Sequence, residues 1–321
     1  MITIPKKLIS VAILAATSPA MAGFYVDLQA NQSELDRSGL DWYAPYGVDG
    51  VDIVGAGDYG YLEPSAETGF ALAVGMDLGS NWTGTVRFSD IDFSEKDTVS
   101  SPSQELVASR VHADDGDVDE GDWDFGRSEF ELEQETIEVE FAYNVKFGGD
   151  KGLVSPLFGL RSTSIEQSMD TLYDDTSSTS SGSYVSESVD HDLLGLYVGV
   201  EGLWKFNRLV GVEGRVDIGV MNADVSRSNR ETIEDGDSVY VDTGDNFTES
   251  ATMTNAKLGV VFTALESDSL NLDVSLGMQY SNIDGLSDFI HFPDDVVDGV
   301  LARNQQSLGT SGYYLNVGAS F

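Results

Sequence analysis

The last nine residues of the chain constrain its fold more than any other segment. From Tyr313 to Phe321, large apolar residues take every second position, and the residues between them are mostly small or polar. A period of two is typical of a β-strand with one apolar and one polar face, because successive side chains of a strand point to opposite sides. The segment therefore predicts an amphipathic strand that ends on an aromatic residue.

A strand of this kind with a terminal aromatic resembles the closing strand of bacterial outer-membrane β-barrels. The resemblance implies that Phe321 and its strand are read by the barrel-assembly machinery, which becomes an expected partner. A soluble sandwich could contain the same strand, so the interpretation needs support from the rest of the sequence.

The N-terminal segment supplies the first support. Residues 1–22 read as a secretory signal peptide, with two adjacent lysines, the short apolar run Leu8–Ala16 and an A-x-A cleavage site at Ala20–Ala22. We expect this peptide to be cleaved and residues 23–321 to form a single exported domain. No later segment approaches the ~20 apolar residues of a membrane-spanning helix.

Composition narrows the possible partners. The chain has no cysteine, which excludes disulfides and thiolate metal sites. Lys and Arg together number 17 against 55 Asp and Glu, a net charge of −38. Such a charge excludes nucleic acid as a natural partner, because phosphates would be repelled. We expect no resident cofactor.

Ten segments keep the period of two, and they begin near residues 24, 70, 82, 137, 158, 194, 210, 256, 272 and 313. Their connections alternate in length. Short links fall near Gly79–Asn81, Gly148–Leu153, Asn207–Arg208 and Glu266–Ser269. Long links fall at 37–67, 95–124, 169–192, 224–250 and 282–310.

This alternation predicts an all-β fold, a transmembrane antiparallel up-and-down β-barrel in the outer membrane. It would have about ten strands, short periplasmic turns and long acidic extracellular loops. Twelve strands remain an alternative if Val51–Val54 or Leu106–Val111 contributes a further hairpin.

In such a barrel the apolar faces point outward to outer-membrane lipid. Aromatic residues cluster near the short turns, where an interfacial girdle would lie. The predicted girdle residues are Trp82, Phe147, Trp204, Phe206 and Phe321. Phe88, Phe93 and Tyr280 would form the opposite girdle.

The inward faces carry seven acids and six bases. They are Asp27, Arg87, Glu138, Glu140, Lys146, Arg161, Glu201, Lys205, Glu213, Arg215, Asp217, Lys257 and Asp273. These charges either set a field across a water-filled pore or form a salt-bridge core that fills the barrel. Barrels of ~8 strands are filled by side chains and those of ~16 hold a channel, so ten strands allow at most a narrow pore.

The five long links hold 35 acids and six bases. At a pore mouth this charge would attract cations, but a solvated acidic surface is the favoured interpretation, because charge runs are usually solvated. Asp115, Asp117 and Asp119 have the 1-3-5 spacing of an EF-hand loop. Because Glu120 and Gly126 break that motif at its sixth and twelfth positions, we expect weak Ca²⁺ binding at most.

A catalytic site is not expected. The best candidate is His191, flanked by Asp190 and Asp192, which invites comparison with omptin proteases of the outer membrane. Adjacent strand residues point to opposite faces, so His191 cannot share a face with either neighbour. The sequence therefore predicts no enzyme.

Several stretches are similar to the Legionella-type major outer membrane protein family. They are Gly69–Asp77 with Asn81–Phe88, Phe158–Ile165, and Leu194–Gly202 with Val212–Gly219. The resemblance implies a porin-like barrel for passive passage of small hydrophilic solutes or cations. A filled barrel whose acidic loops act as adhesin or surface receptor is the alternative, and an omptin-like rim protease is the least favoured.

Overall fold

The computed structural model describes residues 23–45, 60–100, 106–108, 110, 123–149, 151–174, 182–233, 238–267, 269–290 and 304–321. Fourteen strands run through these residues. They are β1 Phe24–Arg37, β2 Asp41–Pro45, β3 Gly60–Tyr61, β4 Glu67–Gly79, β5 Trp82–Ser100, β6 Leu106–Ala108, β7 Phe125–Tyr143, β8 Val145–Phe147, β9 Gly152–Asp174, β10 Gly182–Lys205, β11 Val210–Ile233, β12 Ser238–Glu266, β13 Asn271–Ser287 and β14 Gln305–Ser320. Among these residues no helix is long and apolar enough to cross a membrane.

Ten antiparallel strands close into a barrel. The ring runs β1, β4, β5, β7, β9, β10, β11, β12, β13 and β14, and β14 pairs with β1 to close it. The short β8 continues the line of β7 and pairs with the start of β9. Closure leaves no open sheet edge in the lipid, which is the condition for a β-structure to span a membrane. The predicted ten-stranded barrel is confirmed.

The twelve-strand alternative is wrong for the part of it that the structure describes. Leu106–Ala108 does form a strand, β6, but β6 pairs with β2 in a separate three-stranded sheet that also contains β3. This small sheet does not join the barrel wall. Val51–Val54, the other proposed hairpin, lies outside the described residues.

The four short turns lie at one end of the barrel, together with Gly23 and Phe321. The amide of Gly23 donates to the carbonyl of Phe321, 2.8 Å away. The β4–β5 turn is tight: its two central residues, Ser80 and Asn81, have positive φ, as two-residue hairpin turns require, and the flanking Gly79 has positive φ as well. Because membrane barrels have short turns on the periplasmic side, this end faces the periplasm.

The strands are much longer than a membrane requires. A spanning strand needs roughly 9–11 residues, whereas β9 has 23 residues, β10 has 24 and β12 has 29. Two of the five predicted long loops, 169–192 and 224–250, are therefore largely strand. The barrel projects beyond the lipid on the extracellular side.

The hydrophobic pattern of the strands inverts along the barrel axis. On β10, the lipid-facing residues Leu194, Leu196 and Val198 are 60–67% exposed, and the inward residues at that level are small or polar. Toward the extracellular end, Val189 and Leu193 point inward and are at most 2% exposed, whereas the outward positions are polar. This inversion marks the outer edge of the lipid band, because apolar side chains face whichever side lacks water.

Candidate functional site in the barrel lumen

The membrane-spanning half of the lumen contains a cavity of about 410 Å³. It is lined by inward side chains of strands from all sides of the barrel, and most of them are charged or carry amides. They include Asp27, Gln29, Arg87, Glu138, Arg161, Glu201, Glu213, Arg215, Asp217, Asn255, Lys257 and Gln279. We call this space the chamber. Eight of the thirteen predicted lumen charges take part in ion pairs, and two acids line the chamber without one.

Arg161 is the centre of the ion pairs on one wall. Its side chain is 1% exposed and lies 2.7 Å from Glu138 Oε1 and 2.8 Å from Asp217 Oδ1. The guanidinium also stacks over the Tyr197 ring, 4.3 Å from its centre. These contacts tie β9 to β7, β10 and β11, and they compensate the cost of burying the charge.

Two further arginines extend this network. Arg215 lies 2.7 Å from Glu140 Oε2, and its Nε donates to Asp217 Oδ2 at 3.0 Å. Arg87, on β5, lies 3.1 Å from Glu138 Oε2 and keeps a third of its side chain exposed. On this wall the charges form a salt-bridge core, as one of the two sequence interpretations predicted.

The opposite wall is more loosely arranged. Lys257 Nζ donates to Gln29 Oε1 at 3.0 Å, and Gln29 donates in turn to Gln279 at 2.8 Å. Lys257 lies 3.8 Å from Glu213 and 4.0 Å above the Tyr314 ring, whose hydroxyl donates to Glu213 at 2.7 Å. The Lys257 and Glu213 side chains are both 26% exposed, so this wall faces water in the chamber.

The remaining predicted lumen charges fall into two groups. Asp27 and Glu201 line the chamber, and no ion pair joins them to a base within the described residues. Asp273 has a buried carboxylate oxygen on β13. Lys146 and Lys205 do not line the chamber: they lie in β8 and at the end of β10, at the periplasmic rim.

An apolar cluster fills the extracellular half of the lumen, and we call it the plug. Eight barrel strands contribute inward side chains to it, and Leu40, Trp42, Leu62, Trp123 and Phe289 enter from connecting segments. Its strand residues are Phe93, Phe130, Leu132, Ile165, Met169, Tyr173, Val189, Leu193, Met221, Ala223, Val225, Ala251, Met253, Ile283, Leu286 and Leu308. The predicted girdle position of Phe93 is wrong, since its side chain is 1% exposed within the plug.

His191 lies inside the barrel at the level of the plug. Its side chain is fully buried, with Nε2 3.7 Å from Glu249 Oε1, and Glu249 accepts hydrogen bonds from Ser287 N and Oγ at 2.8 and 2.7 Å. Burial lowers the pKa of His191 to about 4, so the ring is neutral at neutral pH. Asp190 and Asp192 are exposed and point outward, as the alternation predicted. His191 is therefore buried at this level and does not lie at the exposed rim that the protease hypothesis assumed.

Carboxylates on the outer wall provide one group that could hold a metal ion. Oxygens of Asp90, Asp92 and Glu133 lie within 4.8 Å of one another, just beyond the lipid band. Asp92 and Glu133 are directly paired across β5 and β7. The run with the proposed weak Ca²⁺ ligands, Asp115, Asp117 and Asp119, lies outside the described residues.

The predicted aromatic girdle lies on the outer wall. Trp82, Phe147, Trp204, Phe206 and Phe321 are 36–61% exposed, and all are close to the periplasmic turns or the chain ends. Phe147 and Trp204 pack with ring centres 5.4 Å apart. Phe321 packs against Phe24 at 6.4 Å. Such an arrangement is typical of side chains at a membrane–water interface.

Several polar residues are buried beside the plug in segments that the sequence predicts as loops. The structure brings five of them together inside the barrel mouth: Arg37, Arg110, Arg227, Glu187 and Asp288. Three of these residues lie in strands whose outward positions are polar, so the sequence does not show those segments as strands. The alternation of apolar residues on β10 does continue toward the extracellular end from Leu193, but there the apolar residues are the inward ones, and this pattern could have revealed the strand.

Solved structures with similar overall arrangement are outer-membrane proteins of low identity. The outer membrane protease OmpT from Escherichia coli is 6% identical, with 96% of this chain and 99% of that chain covered and a TM-score of 0.47. A major outer membrane protein from Thermus thermophilus is 11% identical, with coverages of 91% and 99% and a TM-score of 0.34. The P. putida toluene transporter TodX is 10% identical, with coverages of 97% and 92% and a TM-score of 0.27.

No curated protein matches the chain. A family match covers the whole described barrel, from residue 23 to residue 321. It agrees with the closed ring of strands and the apolar outer band. The chain is an outer-membrane β-barrel that belongs to the family of the Legionella pneumophila major outer membrane protein precursor.

Proposed function

We propose that the barrel is a narrow outer-membrane pore for small hydrophilic solutes or cations, and that the plug closes it in the conformation described. The chamber is the observation that supports this function. It places a polar space of about 410 Å³ at the level of the lipid, and among the described residues no base forms an ion pair with Asp27 or Glu201, which face it. A purely structural barrel gains nothing from unpaired charges at this level, since desolvating them costs free energy.

The plug explains why such a pore would conduct only intermittently. Trp42, Phe130, Ile165 and Met169 are completely buried inside the barrel, so the described residues pack an apolar layer across this level. Hydrophobic constrictions of this kind gate other channels by excluding water. Passage therefore requires the plug to move, and the wild-type protein should open rarely.

Planar-bilayer recording of the refolded barrel tests the proposal. Wild type should give infrequent conductance steps. The double variant Met169→Ala/Met221→Ala removes volume from the plug and should open at least about tenfold more often. The matched control is Met76→Ala/Met278→Ala, which makes the same chemical change at lipid-facing positions that are 49% and 60% exposed.

The control should behave like wild type. The pore proposal is abandoned if neither wild type nor the plug variant gives conductance steps while both migrate as folded, heat-modifiable barrels. Equal gains in the plug variant and the lipid-facing control would attribute the openings to general loosening of the barrel.

One observation favours a second function, that of adhesin or surface receptor. The barrel wall projects beyond the lipid band and is filled by the plug, which makes it a stiff platform for the loops. The β5–β7 connection contains the most acidic run of the sequence, Asp114–Asp124. Replacing residues 111–121 by a short Gly-Ser linker keeps Arg110 and Trp123 in place and should abolish attachment of displaying cells to a surface. Unchanged attachment would exclude this loop as the binding element.

The proposal contains no catalytic step and no resident cofactor. Peptide cleavage by the purified barrel, lost in His191→Ala, would contradict it. We also propose outer-membrane lipid and the barrel-assembly machinery as partners, the second through the strand that ends at Phe321. Assembly of a Phe321→Ala variant in cells tests that recognition, and normal yield in the membrane would argue against it.

A further inference from the structure

We propose that the segment Ser287–Ile290 is a latch that holds the plug closed and that Arg37, Arg110 and Arg227 fasten it. The latch would regulate the proposed pore, on which this inference rests. The pairing of β13 with β14 shifts between Asp284 and Leu286, and Gly285 has a φ of +88°. A bulge with glycine in this conformation bends a strand.

Beyond the bulge Ser287 still pairs with Gln305, and the amide of Asp288 donates to the carbonyl of Asn304 at 2.9 Å. Leu286 and Ser287 are both buried although they are consecutive, which regular alternation would not allow. Phe289 and Ile290 follow, each 2% exposed, and Phe289 belongs to the plug. Backbone pairing thus anchors the start of the segment, and side-chain contacts hold Phe289 within the plug.

Arg37, at the end of β1, makes the most direct contact with the latch. Its side chain is fully buried, and Nη2 donates to Asp288 Oδ1 at 2.9 Å. Its guanidinium lies 4.6 Å from the centre of the Phe289 ring and 5.0 Å from that of Phe130. Arg37 thus contacts both Asp288 and Phe289 of the latch and packs on Phe130 of β7.

Arg227, on β11, holds the latch backbone. Its Nη1 donates to the carbonyl of Asp288 at 3.3 Å. Nε and Nη2 donate to the two carboxylate oxygens of Asp245 at 2.9 and 3.0 Å. This two-bond geometry fixes the orientation of the guanidinium. The latch is therefore anchored to the wall opposite β1.

Arg110 links the latch to the small sheet over the mouth. Its guanidinium lies 5.9 Å from the centre of the Phe289 ring. Nε donates to the carbonyl of Asp41 at 2.8 Å, Nη2 donates to the carbonyl of Gly39, and Nη1 lies 3.4 Å from Glu187 Oε2. Arg110, from the β5–β7 connection, therefore links the β1–β2 connection and β10 to Phe289 of the latch.

The closed latch leaves part of its polar surface unsatisfied. Arg37 Nε and Nη1 are buried and have no hydrogen-bond partner. Unsatisfied buried donors raise the free energy of the closed state, and water would satisfy them once the segment moved out. Arg37 makes strong contacts to the latch through Nη2 and its ring contacts, but it leaves two donors unsatisfied. This reduces the free-energy difference between the closed latch and a latch moved out of the lumen, as switching elements require.

A single-cysteine reporter tests the latch without depending on conductance. The chain has no cysteine, so Ala223→Cys would place the only thiol inside the plug at a position that is fully buried. Reaction with a polyethylene-glycol maleimide measures how often the plug opens. In Arg37→Met or Asp288→Asn, combined with the reporter, labelling should be at least about tenfold faster than in the reporter alone. Arg127→Met is the matched control, because Arg127 is 46% exposed and touches no latch residue.

Slow labelling in both latch variants, with the barrel still heat-modifiable on gels, overturns the latch. Equally fast labelling in the Arg127→Met control overturns it as well, because the effect would then be unspecific. Faster labelling confined to the latch variants supports it. Conductance of the same variants is a separate readout: fast labelling without conductance steps would keep the latch and refute the pore.

Discussion

At the scale of single residues, the proposed function depends on the lumen carboxylates that form no ion pair with the arginines of the wall. Arg87, Arg161 and Arg215 are each held by at least one carboxylate, so the lumen wall is largely self-compensated. Asp27 and Glu201 are not. They lie on β1 and β10, which are five strands apart in either direction around the ten-stranded ring. The two carboxylates therefore face each other across the chamber.

Replacing this pair should reduce cation preference. The double variant Asp27→Asn/Glu201→Gln removes two negative charges from the narrow chamber, where a low local dielectric strengthens their effect on ions. We expect the cation-to-anion permeability ratio to fall roughly two- to fivefold, measured as a shift of the reversal potential in a salt gradient. Glu166→Gln/Asp190→Asn, the same charge change on the exposed outer wall, should leave the ratio nearly unchanged. A similar fall in both would refute the assignment.

His191 should make stability depend on acidity. Burial lowers its pKa to about 4 from an ordinary 6.5, although the neighbouring Glu249 opposes the shift and the charges of Arg37 and Arg227 add to it. The unfolded chain then binds the proton first as pH falls. Stability is therefore lost progressively between pH 6.5 and about 4, by roughly 3 kcal/mol. Urea unfolding in detergent should show this loss in wild type and not in His191→Gln. A ring that titrates near 6.5 by NMR would contradict it.

At the scale of strands, the sequence predicts the lipid-facing half of each barrel strand and does not predict the extracellular half, whose outer face meets water. Apolar alternation located all ten barrel strands, because lipid demands an apolar outer face. It failed above Leu194 on β10, where the outer residues become polar and the inner ones, such as Val189, become apolar. The links 169–192 and 224–250 were consequently predicted as loops. Local composition cannot distinguish a polar strand from a loop when the apolar partners lie on distant strands.

The inversion can be checked on one strand. Val198 and Ser188 both point outward from β10, but only Val198 lies in the lipid band. Val198→Arg should destabilise the barrel by about 2–4 kcal/mol, the cost of arginine near the bilayer centre. Ser188→Arg should cost less than ~0.5 kcal/mol, as surface substitutions usually do. Unfolding in phospholipid vesicles measures both values. Equal costs would mean that the lipid band is misplaced.

The ion-pair network predicts a second stability difference. Arg161→Met removes the most buried of the arginines that contact Glu138 and Asp217 and should cost about 3–5 kcal/mol, because both carboxylates stay buried. Lys96→Met breaks a pair with Glu129 in which both side chains are more than 40% exposed. That change should cost at most about 1 kcal/mol. Urea unfolding in detergent compares the two variants. Similar costs would show that the network contributes no more than a surface pair does.

At the scale of the whole molecule, the barrel consists of two halves with opposite interiors. The membrane half is apolar outside and charged inside, and the extracellular half is polar outside and apolar inside. The sequence predicted the fold, the membrane location and the charged wall, because each follows from short-range alternation. It could not predict the plug or the latch. These depend on Arg37, Arg110, Arg227 and Asp288 meeting from segments up to about 250 residues apart.

The net charge of the chain should make cation preference depend on salt concentration, which the charges of the lumen alone would not do. The chain carries −38, and the segment 111–121 alone contains five acids. Fields of such surface charges reach about 30 Å at 0.01 M salt but only about 3 Å at 1 M. Cation preference should therefore decline as salt rises, down to the level that Asp27 and Glu201 set within the chamber. Reversal potentials at a fixed gradient ratio measure the decline.

The variant with residues 111–121 replaced by a linker should show a flatter dependence, whereas Asp27→Asn/Glu201→Gln should lower the preference even at about 1 M salt, where surface fields are screened. A preference that does not change with salt would mean that the acidic loops lie too far from the ion path to influence it.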